Sequence, residues 1–70
     1  MSVENHVRYH RFMRGEMSQA ELSEKVGVSR QTIVAIEKGN YNPSVELALE
    51  LSKALGATVE ELFQLDEEKP

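Results

Sequence analysis

The fold is decided by residues 19–38, QAELSEKVGVSRQTIVAIEK. This stretch predicts two short helices joined by a tight turn. Ser18, just ahead of it, is placed to cap the first helix, and Glu21 three residues later completes a capping box. Ala20, Leu22 and Val26 read as the apolar stripe of that helix. Gly27 permits the left-handed backbone that closes a helix. Val28 follows as a buried plug, Ser29 caps the second helix, and Ile33 and Ile36 form its core side.

The opposite side of the second helix is the informative one. Arg30, Gln31, Val34, Ala35 and Lys38 fall on one side of a 3.6-residue wheel. A face meant only for water would be Glu and Lys throughout. Here two long hydrogen-bonding side chains lead, and small or branched apolar groups follow. Arg can pair bidentately with guanine, Gln with adenine, and Ala or Val can meet a thymine methyl. A helix of this size fits the major groove and reads bases with its N-terminal residues. Arg30, Gln31, Val34 and Ala35 are therefore the candidate base contacts.

Gln19, Leu22, Gly27, Val28, Ser29, Ile33 and Ile36, with SRQTI and the later NPS-x-E-x-A, resemble the Cro/phage-repressor (Xre) type of helix-turn-helix protein. The resemblance is to the small single-domain transcriptional regulators of that family, and it runs from about Asn5 to Phe63. There are two departures. Ser23 stands where the family usually has Ala, and the Gly15-Glu16-Met17 link ahead of the motif is one residue longer than usual. The resemblance implies a lambda-repressor-like DNA-binding fold. It implies that Gln19 binds a phosphate and braces the recognition helix, and that Arg11 of helix 1 pairs with Glu37. It also lays the loop after the recognition helix over the DNA backbone. The candidate phosphate contacts are Gln19, Ser29, Thr32, Lys38, Asn40, Tyr41 and Asn42. For Thr32 a plain helix-start role is an alternative, and Tyr41 has the alternative of packing on a second subunit.

Composition agrees with a small regulator. Seventy residues allow one domain, 1–70, with one modest core. With no cysteine there is no disulfide, thiolate nucleophile or zinc finger. No apolar run approaches membrane-spanning length, and the start lacks a signal-peptide pattern, so a cytoplasmic protein is expected. The net charge of −4 at first argues against nucleic acid. Its distribution answers that objection. Residues 1–43 hold six basic and five acidic side chains, a sum of +1, while residues 44–70 hold two basic and seven acidic ones, a sum of −5.

Helix 1 is expected from about Asn5 to Arg14, with Val3, Val7, His10 and Met13 or Arg14 on one face. Arg8, Arg11 and Arg14, at spacings of three, are expected to cluster on one flank, either solvated or touching phosphate. His6 and His10 have the i, i+4 spacing of metal ligands, but HVRYH has no glutamate after its first His and no third ligand is at hand. No metal or other cofactor is expected. Ser44 should cap helix 4, with Leu47, Ala48, Leu51, Ala54 and Leu55 as its core stripe up to Gly56. Thr58 and Glu61 form a second capping box, opening helix 5 with Val59, Leu62 and Phe63. The alternation from Phe63 to Asp66 allows a short strand against the N-terminal residues or a second subunit, and the tail 66–70 is expected to be disordered.

The fold expected is all-α, a compact five-helix domain with room for terminal strand pairing. The function expected is sequence-specific binding of double-stranded DNA by a homodimeric regulator, most simply a repressor on a palindromic operator. Val59, Phe63 and Leu65 are the candidate dimer residues. The alternative is an antitoxin or protein-interaction module in which DNA binding is secondary. An enzyme is not expected: there is no glycine-rich phosphate loop, and no carboxylate–serine constellation accompanies the two histidines.

Overall fold

Four of the five helices begin on a side-chain hydroxyl. In the computed structural model, which describes residues 2–66, α2 (Gln19–Val26) is capped by Ser18 and α3 (Arg30–Glu37) by Ser29. Ser44 caps α4 (Val45–Leu55), and Thr58 caps α5 (Val59–Leu62). Each hydroxyl accepts the backbone N–H three residues on, which satisfies one of the free donors of a helix start. Both expected capping boxes form, Ser18 with Glu21 and Thr58 with Glu61. The hydrogen bonds from Thr58 hold the Glu61 carboxyl below its ordinary pKa.

The first helix, α1 (Val7–Met13), is shorter than expected and has no side-chain cap. Of its expected first residues, Asn5 instead ends β1 (Ser2–Asn5), which pairs antiparallel with β2 (Phe63–Asp66), and His6 stands at the N-cap position. The register sets Val3 opposite Leu65 and Asn5 opposite Phe63. Of the expected disordered tail, the Asp66 backbone closes this ribbon opposite Ser2, and 67–70 lie outside the described residues.

The core joins all five helices and the link. Val7, Leu22, Ile33, Ile36, Leu51 and Leu62 are wholly or almost wholly buried, with Leu47, Leu55, Ala57 and Met17 beside them. Burying one such aliphatic chain is worth about 1.5–3 kcal/mol. α2 packs on α3 and α4, α4 on α5, and α1 on α3.

Four packing expectations need correction. Ala20 is exposed. It sits about 200° around the helix from Leu22, so it cannot share the side that α2 buries through Leu22 and Ser23. Val28 is half-buried and packs against the core edge rather than plugging it. Met13 is 63% exposed, because α1 ends there and the chain turns away. Its expected place in the core goes to Met17, at the end of the Gly15-Glu16-Met17 link. Arg8, Arg11 and Arg14 do not all cluster. Each step of three turns the helix by about 300°, so successive side chains are displaced by about 60°. Arg8 and Arg11 line one groove, described below, where Arg11 pairs with Glu37, while Arg14 parts from them into a depression with Lys25, Glu50 and Lys53.

Candidate nucleic-acid interface

The α3 helix is held at its start and at its end. At its start, Ser29 Oγ accepts the Thr32 N–H at 3.2 Å and lies 3.1 Å from the Thr32 hydroxyl. At its end, the Asn5 side-chain amide donates to the Ile36 carbonyl at 2.9 Å. Asn5 thus adds a second donor to a helix-end carbonyl that also accepts the Gly39 N–H at 3.0 Å. Between them, Arg11 Nε donates to Glu37 Oε2 at 2.8 Å and its Nη2 to Oε1 at 3.0 Å. The pair is close to fully enclosed, with 15% and 7% of the two side chains exposed. Gln19 Nε2 adds a third donor to Glu37 Oε1 at 3.1 Å. Arg11 also reaches back to the Met17 carbonyl at 2.7 Å. One carboxylate therefore ties α3 to α1, to the link and to the start of α2.

An open groove runs alongside this network. Arg8, Arg11, Ser18, Gln19, Ala20, Arg30, Val34, Glu37 and Lys38 line it. Four of these are cations and one is a carboxylate, a local sum of +3 on a chain of net charge −4. The charge is concentrated where α3 meets the solvent.

The structure divides the expected reading face into two rows. Arg30, Val34 and Lys38 border the groove, while Gln31 and Ala35 lie on the adjoining flank, about 100° around. Arg30, Gln31 and Lys38 are exposed, and Thr32, Val34 and Ala35 are half-buried. The loop that follows starts tightly, with the Asn40 N–H on the Ala35 carbonyl at 2.9 Å, and leaves Asn40 and Asn42 exposed. Tyr41, 47% exposed, lies apart from the groove, in a depression shared with Val26, Val28, Ser44 and Leu47.

The histidines have other surroundings. His6 and His10 line a shallow depression with Tyr9, Glu61 and Gln64, and Tyr9 meets the His10 ring edge-on at 5.1 Å. Among the described residues, no three His, Cys, Asp or Glu side chains are arranged to hold a metal.

A helix-turn-helix family model, HTH_3, matches residues 13–62, which contain the α2–α3 motif and the two helices after it. The chain belongs to the Xre/Cro-type helix-turn-helix family of DNA-binding transcriptional regulators. Xre/Cro-type proteins of this kind are regulators rather than enzymes. The chain is similar to the uncharacterized HTH-type transcriptional regulator MJ0272 of Methanocaldococcus jannaschii, 40% identical over 96% of this chain and 100% of that protein. An uncharacterized HTH-type regulator of Methanothermobacter thermautotrophicus is 51% identical over 89% of this chain and 90% of its own length. Among solved structures, the clp gene regulator ClgR of Corynebacterium glutamicum superimposes with a TM-score of 0.72 at 33% identity. That match covers 79% of this chain and 57% of ClgR. No helix among the described residues is long and apolar enough to cross a membrane.

Three residues around α3 and the groove take places that differ from the sequence expectation. Ala20 was assigned to the core but lines the groove. Asn5 supports the far end of α3 from 31 residues away, and no local pattern announces such a contact. Arg8 was grouped with two other arginines, although the 60° displacement per step was already a signal that Arg14 parts from it.

Proposed function

We propose that the protein is a homodimeric, sequence-specific repressor that works in the cytoplasm and lays α3 in the major groove of a palindromic operator. The observation that carries this reading is the exposed Arg30–Gln31 pair at the start of α3, beside a groove with four cations and one neutralised carboxylate. Arg30 and Gln31 read bases, and Val34 and Ala35 offer apolar contact to a thymine methyl. Gln19, Ser29, Thr32, Lys38, Asn40, Tyr41 and Asn42 contact phosphates. Gln19 can do so while bracing, since one amide hydrogen goes to Glu37 and the other is free.

One recognition helix spans few base pairs, so a twofold pair with half-sites about 34–36 Å apart is the natural reader. Leu65 favours the ribbon end as the dimer surface, because it is 60% exposed opposite Val3. Val59, at the start of α5, is half-buried. Phe63 contributes less, since much of it packs against its own core.

Selection of bound duplexes from a random pool at moderate salt tests the reading. An enriched inverted repeat with one-turn spacing is the expected result. Arg30→Ala should then cost about 1–3 kcal/mol and relax base preference at one position. A pool without enrichment overturns the operator reading.

A second reading, an antitoxin or protein-interaction module, is favoured by one observation. Tyr9, Phe12 and Met13, at helical spacing on α1, are 58%, 60% and 63% exposed. Loss of DNA enrichment would leave this as the better account.

A further inference from the structure

The groove holds more positive charge than the expected reading residues explain. Arg11 is occupied within the protein, with two donors on Glu37 and one on the Met17 carbonyl. Arg8, Arg30 and Lys38 remain, and among the described residues the only ion pair is Arg11–Glu37. Bringing three like charges to one groove is unfavourable unless an anion meets them. Arg30 and Lys38 lie about 12 Å apart along the α3 axis, at about 1.5 Å per residue. That length exceeds a single small anion and suits an extended one, such as a nucleic-acid strand with about 3.4 Å of axial rise per position. Arg8 approaches from α1, a different element, and is exposed.

We propose that Arg8 is a DNA-phosphate contact on the α1 wall of the groove, seated on the strand that flanks the bases read by Arg30. This rests on the operator reading given above. Arg8 supplies charge and position without base information, so its effect is the same on every sequence. Arg14, from the same helix, has no such role, because it sits over Gly56 beside Lys25 and Lys53.

The test uses the full chain with two duplexes of equal length, one carrying the enriched site and one scrambled. Affinities of the wild type, Arg8→Ala, Arg8→Lys and Arg14→Ala are measured across a salt series. Far-UV circular dichroism confirms that each variant is folded. For Arg8→Ala, the slope of log affinity against log salt should become shallower by about 0.9 per bound protomer, or about 1.8 for the dimer, on both duplexes. Arg8→Lys should recover the slope, and Arg14→Ala should leave it unchanged. An unchanged slope for Arg8→Ala overturns the assignment. So does a loss confined to the enriched duplex, which would make Arg8 a base reader. An equal loss from Arg14→Ala would reduce the effect to bulk charge and also overturn it. If the wild type enriches no duplex, the operator reading fails and takes Arg8 with it. An enriched site with an indifferent Arg8 fails Arg8 alone.

Discussion

α2 has a connection at each end, and the two are built on different physics. The turn from α2 to α3 uses one left-handed residue, Gly27 at φ 73°, between a Gly closure and a Ser cap. The link from α1 to α2 uses two in succession, Gly15 at φ 84° and Glu16 at φ 56°. Glu16 has a Cβ, so this conformation costs it about 1–2 kcal/mol. The turn is held by its own residues. The link closes on backbone bonds too, with the Glu16 N–H on the Phe12 carbonyl and the Met17 N–H on the Arg11 carbonyl, but it adds side-chain anchors: Met17 buried in the core and the Arg11 guanidinium on the Met17 carbonyl. A strained connection persists where the surroundings over-determine it.

The contrast can be broken most sharply at Arg11. Arg11→Ala strips three hydrogen bonds and leaves the Glu37 carboxylate enclosed without its cation. Loss of one partner of such a pair typically costs about 3–5 kcal/mol. Chemical denaturation should therefore place this variant lowest, and thermal melts should agree. Met17→Ala removes the link's anchor in the core and should cost about 2–5 kcal/mol. A value under 1 kcal/mol would mean that the link is held by its backbone alone.

Ser29→Ala tests the locally built turn. Loss of this cap should cost about 1 kcal/mol. The resulting order, with the long-range contacts outweighing the cap, is what the comparison requires. The smallest effect has the opposite sign. Glu16→Gly removes the Cβ penalty but loosens the unfolded chain, so a gain of up to about 1 kcal/mol is expected. A loss there would show that the Glu16 side chain supports the link in a way its exposure hides.

Legibility in the sequence followed the same division. The caps at Ser18, Ser29, Ser44 and Thr58 lie within three residues of their partners, and each was readable. So were the buried positions Leu22, Ile33, Ile36, Leu51 and Leu62, which repeat at helical spacing. Helix 1 was read too long because its first residues are equally suited to a strand. That choice depends on β2, about sixty residues away. Ala20 and Met13 were misplaced since apolar character marks a residue as able to be buried without saying which face the neighbours cover. On α3, the exposure of Arg30 and Gln31 follows from the wheel, whereas the groove that Arg8 shares with Arg30 depends on how α1 crosses α3.

The sequence by itself determined the helices, their order, the helix-turn-helix and the residues its second helix turns outward. Those features rest on contacts between near neighbours, for which residue type and spacing suffice. Tertiary structure decided which of its two expected partners the terminal strand takes, and it alone decided the strained link and the Met17 anchor. It alone combined a groove of net positive charge with a protein of net negative charge. Those depend on which distant surfaces meet, and the free energy of each meeting is shared among residues that carry no local sign of it.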